Sequence, residues 1–271
     1  MTKPVNFDPA FDPNNFSSDP TLAPINPFLP LALGNTWTYA HSDGAENTVT
    51  VVGTILIDGV TCFAVTDNEK DADGNFTELT TDYFATDNSG NVWYFGEDTV
   101  ELPSGDTAGT WRAGEVPEDG DETALPGVIM PAPDNLAVSL TYHEENAAPV
   151  ALDRASVKSL SAKVNLGDLG SFTDALKTKN DTALEHGHVE KKYYVAGLGP
   201  VLIRGGNIVE QLVSTNVAPA VQNLAQAMAS FSAPKSSSAP DFVTNGHNDH
   251  SSSQAMLAPA GHDGGGRHDL G

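Results

Sequence analysis

The chain has 271 residues, with 36 Asp and Glu against 13 Lys and Arg, a formal charge of −23. That charge argues against nucleic acid or an anionic membrane surface as a partner, because both select Lys and Arg. No stretch approaches the ~18 consecutive apolar residues of a membrane-spanning helix, so the sequence predicts no transmembrane segment.

Residues 1–30 hold 7 of the 18 prolines, spaced from Pro4 to Pro30. Proline fixes φ and lacks an N–H, so this segment reads as an extended arm. Phe7, Phe11 and Phe16 recur along it. They are expected to pack onto the domain that follows, a docking peptide being the alternative. A basic n-region, an apolar h-region and a small-residue cleavage site are all missing from it.

From residue 35 the apolar period is two. Asn35 to Tyr39 alternates, and so does Asn47 to Val52. Asp58-Gly59 is a hairpin signal that pairs a strand at 48–57 with one at 60–66. Further strands are expected near 79–86, 92–95, 108–113, 126–130, 137–145, 152–165, 171–180, 189–195, 198–204 and 207–214. Of the 36 acids, 23 are Asp, a turn former, and the chain also carries 25 Gly. About a dozen short strands joined by such turns predict an antiparallel all-β domain. Residues 97–122 contain nine acids and one base, Arg112, and are expected to form a solvated loop or edge hairpin. Val217, Val221, Leu224, Met228 and Phe231 recur at helical spacing and predict one amphipathic helix over 217–231. From Ser232 the composition is Ser, Pro, Gly, Asn and His, too poor in apolar groups to offset ordering entropy, so 232–271 is expected to be disordered. The domain plan is therefore an arm at 1–30, one β domain at 31–231 and a tail.

Four segments together resemble a broad group of bacterial exported proteins and lipoproteins. They are Pro30 to Tyr39 (PLALGNTWTY), Asp87 to Glu97 (DNSGNVWYFGE), Pro126 to Pro131 (PGVIMP) and Lys192 to Val201 (KYYVAGLGPV). The resemblance spans about 30–213 in order and spacing. It implies a lipoprotein-carrier-like, strongly curved sheet or partial β-barrel, in a cell-envelope or secreted setting. It implies no catalytic residue, since the family is uncharacterised. Members tend to carry Arg-Gln-Glu after a Tyr where this chain has Tyr142-His143-Glu144-Glu145. They usually open with a signal peptide or lipobox, and this chain shows neither. Three readings of location stay open: a trimmed chain, leaderless export, and a cytoplasmic relative. Leaderless export suits a charge of −23, whose self-repulsion disfavours compaction until external salt screens it.

Candidate chemistry is sparse. Cys62 is the single cysteine and lies in an apolar strand, so it reads as a buried, inert thiol. There is no Gly-x-Ser-x-Gly, and Gly264-Gly265-Gly266 sits outside any strand–helix context for phosphate. Asp67, Asp71 and Asp73 lie in a segment with calcium-loop composition. In EF-hand register the final Glu is missing, so an acidic hairpin tip is expected, with a weak Ca²⁺ site as the alternative. His186 and His188 would share one face of a strand, and His143 with Glu145 on a neighbouring strand would complete a transition-metal site. The tail histidines His247, His250, His262 and His268 suggest low-affinity metal scavenging at most. Glu144 and Glu145 are adjacent, so on one strand they face opposite ways, though either could meet a distant carboxylate such as Glu97. These observations favour a non-catalytic secreted or envelope β protein that requires no cofactor and binds a small apolar ligand in a sheet cleft. The alternative is a metal-dependent hydrolase using His143, Glu145, His186 and His188. Ligand identity and oligomeric state are left open.

Overall fold

Asp58 and Gly59 adopt φ of 44° and 79°. Two successive positive φ values match the right-handed twist of a hairpin, so the strands on either side pair closely. Those strands are β3 (Glu46–Ile57) and β4 (Val60–Lys70). A computed structural model describes residues 5–185 and 187–217, so the helix expected over 217–231 and the tail from 232 lie outside the described residues apart from Val217.

The elements preceding and following that hairpin are β1 (Val5–Asn6), β2 (Thr36–His41), β5 (Phe76–Thr86), β6 (Val92–Glu101), β7 (Trp111–Arg112) and β8 (Leu125–Met130). The second half adds β9 (Leu140–His143), β10 (Glu145–Asn146), β11 (Asp153–Asn165), β12 (Ser171–Thr182), β13 (Val189–Val195), β14 (Gly199–Gly205) and β15 (Ile208–Thr215). They form one all-β sheet in the order β1-β9-β11-β12-β13-β14-β15-β2-β3-β4-β5-β6-β8-β10, with β7 beside β6. The pairings are antiparallel except β1 with β9. The expected strand near 108–113 is reduced to two residues, Trp111 and Arg112.

The sheet curls until its two sides meet at one segment. The strand expected over 137–145 is split at Glu144. Its first half, β9, pairs with β11, and its second half, β10, pairs with β8 on the far side. The partner switch therefore brings the two ends of the open sheet together at one segment. Gly127 makes the seam possible. A Cβ there would lie 2.2 Å from the Glu144 carbonyl oxygen, closer than any side chain is tolerated.

The four segments quoted above serve as staples in this architecture. Trp37 Nε1 donates to the Leu198 carbonyl at 2.6 Å, and the Tyr39 hydroxyl donates to Pro200 at 3.0 Å, tying the first segment to the last. Asp87 accepts from Asn91 Nδ2 at 2.8 Å and from Trp93 Nε1 at 2.9 Å, which fixes the turn before β6. Asn91 Oδ1 accepts from the Ala132 amide at 2.8 Å, joining the second segment to the end of the third. The Trp37, Tyr39 and Asn91 bonds satisfy buried donors and acceptors between segments distant in sequence, and the Asp87 bonds do so within one turn, which is how these residues stabilise the sheet.

The arm runs along the outside. Phe11 and Phe16 pack on each other and on Trp93 and Phe95, with ring centroids 5.7–6.0 Å apart. Edge and tilted contacts of this kind add to the apolar area they cover. The double variant Phe11→Ala/Phe16→Ala is expected to lower the melting temperature by about 5 °C, as a loss of ~2 kcal/mol does in a domain of this size. Tryptophan emission should shift to the red as Trp93 becomes wetted. Unchanged emission would show that the arm does not cover β6.

Candidate functional site

Directly paired residues on neighbouring strands share a face of the sheet. Asp67 of β4 pairs with Thr80 of β5, which pairs with Thr99 of β6. The next row holds Val65, Asp82 and Glu97, and the one after it Phe63, Phe84 and Tyr94. All nine residues are buried. The inner wall thus passes from aromatic to acidic within two rows.

Glu97 reaches this wall because of a bulge. Between the Phe84–Tyr94 and Asp82–Glu97 pairs, β5 advances two residues and β6 advances three. The extra residue shifts Glu97 onto the face of Tyr94, whereas a regular period of two would have placed it with Trp93 and Phe95. Gly96 accommodates the bulge with φ 121°, and a Cβ there would lie 2.1 Å from the Trp111 carbonyl oxygen.

The opposite wall supplies the rest. Glu144 and Glu145 at the seam, Asp153 of β11 and Lys192 of β13 are 0–2 % exposed. Asn180 Nδ2 donates to Glu144 at 2.6 Å, and Lys192 Nζ lies 3.4 Å from Glu190. The Tyr94 hydroxyl donates to Asp82 at 2.7 Å. Several acceptors are left over. One oxygen each of Asp82, Glu97 and Glu144 and the Tyr142 hydroxyl are buried without a hydrogen-bond partner, whereas the Glu145 carboxyl accepts from the Asp153 backbone amide.

Burial and mutual repulsion set the protonation of this cluster. Burial pushes Glu97 well above the usual carboxylate range, reinforced by the charges of Asp82 and Glu78. Glu145 moves the same way through burial and the charges of Asp153, Glu97 and Glu144. Asp82 follows through burial and Asp67, against the hydrogen bond from Tyr94. Burial raises Glu144 to about 7, with Lys192 and Asn180 holding it down. Burial pulls Lys192 down, but Glu190 and Glu144 outweigh it and keep the ammonium charged. The interior therefore has a surplus of acid over base, partly neutralised by bound protons at pH 7.

The residues singled out from sequence are dispersed. Asp67 belongs to the inner wall, whereas Asp71 and Asp73 lie at the β4–β5 hairpin tip, so the three do not converge. Asp71 accepts from the Asp73 and Asn75 amides and from Asn75 Nδ2. Its carboxyl is held below the usual range first by the Asn75 side chain. His143 is exposed while Glu145 is buried, because the strand switches partner between them. His188 is half-buried, 3.7 Å from Glu185 and 3.9 Å from Glu190, and its pKa is raised chiefly by the neighbouring Glu190 carboxylate. His186 lies outside the described residues. Among the described residues no group of three His, Cys, Asp or Glu is arranged to hold a metal ion. Cys62 is fully buried and burial pushes its thiol up, so it is not a thiolate nucleophile. A cleft of about 220 Å³ where the β3–β4 turn meets β7 is bordered by Leu56, Asp58 and Arg112, a mixed rather than apolar lining.

The distant carboxylate named for Glu145, Glu97, is within electrostatic reach of it. Local pattern does not mark Asp67, Asp82 and Asp153 as joining them.

No protein-family model matches the chain, and no curated protein matches it by sequence. Two solved structures are similar in fold. One is a predicted lipoprotein from Parabacteroides distasonis, 9 % identical, covering 71 % of this chain and 100 % of its own, with a TM-score of 0.38. The other is a predicted exported protein with a YmcC-like fold from Bacteroides fragilis, 13 % identical, covering 70 % and 98 %, with a TM-score of 0.33. Among the described residues no helix is long and apolar enough to cross a membrane.

Proposed function

We infer that this is a non-catalytic β protein, exported or held at the cell envelope, whose barrel interior receives a small ligand. The location rests on the resemblance of the four segments to exported proteins and lipoproteins. The ligand reading rests on one observation: the buried oxygens of Glu97 and Glu144 that no protein group satisfies. Buried polar atoms are almost always hydrogen-bonded in folded proteins, so unmet acceptors concentrated in one interior mark a place for a partner. The acidic wall replaces the apolar cleft expected from sequence as the place to look.

The test is recovery of the protein from its native host under non-denaturing conditions. Native mass spectrometry is expected to show an adduct that denaturation releases, in protein taken from the envelope or external fraction. Protein at its sequence mass, with a melting temperature that no host extract raises, would overturn the ligand reading. Recovery from the cytosol alone would overturn the location.

A further inference from the structure

We propose that Lys192 and Asn180 join their side chains in an isopeptide bond, formed by the folded chain itself with Glu144 as the acid. This modification is separate from the ligand reading and does not depend on it.

The β12–β13 hairpin brings the two residues together. Asn180 lies directly opposite Glu190, and Lys177 opposite Tyr193, with no register shift between these pairs. Lys192 therefore falls two residues beyond Glu190 on the same face, diagonal to Asn180. Diagonal neighbours are ~7–8 Å apart, a span that a long side chain covers. Lys192 is turned inward over that span. It is fully buried, and its Nζ stands 3.4 Å from the carboxylate of Glu190, the residue paired with Asn180. Asn180 is buried as well, and its Nδ2 lies 2.6 Å from Glu144 Oε2 at the seam. An amine, a carboxamide and a carboxyl from three segments thus share one water-excluded site. Holding nucleophile, acyl carbon and acid together in this way is what makes amide exchange fast enough to occur unaided.

Lys192 passes a proton from its ammonium to the Glu190 carboxylate, and the amine lone pair attacks Asn180 Cγ. Glu144 in its acid form donates to Oδ1 and stabilises the negative charge that develops there. Oδ1 accepts from the Thr178 hydroxyl at 2.7 Å before the reaction. A half-turn of the carboxamide trades the two contacts, Oδ1 to the Glu144 acid and Nδ2 to Thr178 Oγ1, since a hydroxyl both donates and accepts. The Cγ–Nδ2 bond then breaks. The nitrogen leaves as ammonium, with one proton from Nζ and the one that Glu190 held. Glu144 and Glu190 end in the states in which they began.

The ion pair of Lys192 with Glu190 and Glu144 is the state before the bond forms. Both carboxylates keep Lys192 charged, so the attack begins when Glu144 takes up a proton and only Glu190 opposes it. Glu144 does so at about 7, and Glu190, held below its ordinary value, remains a base at pH 6. Asp153 of β11, Asp82 of β5, Glu145 of the seam, Tyr194 of β13 and His188 before it also face these groups. The bond is expected to form faster at pH 6 than at pH 8.

Intact-mass spectrometry of the full chain, folded at pH 8 and then held at pH 6, tests this. The denatured mass is expected to fall by about 17 Da, the ammonia lost, and a proteolytic digest to contain a branched peptide joining Asn180 to Lys192. Asn180→Ala and Lys192→Arg should keep their sequence masses. Glu144→Gln, which retains a hydrogen-bonding group but not the acid, should form the bond at least about a hundredfold more slowly. Circular dichroism identifies any variant that fails to fold, and the wild-type mass and digest then decide alone. Folded wild-type protein that keeps its sequence mass at pH 6 would overturn the proposal. So would an ammonia loss that persists in Asn180→Ala or maps to a succinimide at another asparagine. Formation at the wild-type rate in Glu144→Gln would overturn the role of Glu144.

Discussion

Lys192→Met is expected to destabilise the protein by about 3–5 kcal/mol at pH 8 and by far less at pH 5. The larger figure is the usual cost of removing one partner from a buried ion pair and leaving the other uncompensated. Lys192 is 1 % exposed and faces Glu190 and Glu144. At pH 8 both carboxylates are ionised, since Glu144 titrates at about 7 and Glu190 is held below the ordinary value chiefly by Lys192 against burial. At pH 5 Glu144 is protonated and needs no counter-charge. His188, whose pKa is raised beside Glu190, is then positive and takes over part of the lysine's work.

The same groups set the slope for the wild-type protein. Asp82, Glu97, Glu144 and Glu145 have folded pKa values above their unfolded ones. Such groups take up protons on folding. Their contribution is fully present below the unfolded value and is lost as pH climbs through the folded one. For Glu144, raised from 4.5 to about 7, that loss is on the order of 3 kcal/mol. Asp181, held below its ordinary value by Lys179 and Arg154 against burial, works in the opposite direction at lower pH. Stability should therefore be greater at pH 5 than at pH 8. Urea melts of wild type and Lys192→Met at pH 5, 6.5 and 8 measure both effects. Equal destabilisation at pH 5 and pH 8, or a wild type more stable at pH 8, would sink this account of the interior.

Gly127→Ala should cost about 4 kcal/mol or prevent soluble folding, a size reached only by a few mechanisms. The added methyl would lie 2.2 Å from the Glu144 carbonyl oxygen, 2.4 Å from its carbon and 2.8 Å from the Glu145 nitrogen. These are backbone atoms and cannot rotate away. The substitution would push β10 off β8 and open the barrel at its seam. Gly53→Ala is the control: it lies in β3, its φ is not in the left-handed region, and nothing lies within 4 Å of its Cβ position. It should change stability by less than ~1 kcal/mol. Thermal melts read both, and hydrogen exchange at 125–130 and 144–147 locates the damage. A Gly127→Ala protein that melts with wild type would show that the seam does not hold the barrel shut.

The strand plan was legible because its signals are local. The Asp58-Gly59 turn, the alternation from Thr36 to Tyr39 and the Gly205-Gly206 turn each report on a few neighbouring residues. The seam was not legible in that way. Residues 137–145 carry one alternating pattern, but pairing with two partners depends on where β8 and β11 arrive in space. Period-two reading likewise set Glu144 and Glu145 on opposite faces, which holds only while a strand keeps its partners. Glu97 opens a run of acids and so reads as part of a solvated loop, but one bulge residue at Gly96 turns it inward.

By itself the sequence determined the all-β class and the turns at Asp58-Gly59, Asn88–Asn91 and Gly205-Gly206, because backbone φ preferences and side-chain alternation act within a few residues. Only the tertiary structure decided that acids from β4, β5, β6, β11 and the seam share one interior. Burial and like-charge proximity arise only when strands distant in the chain are brought together. Those two effects, rather than residue identity, raise these carboxyls above their ordinary range.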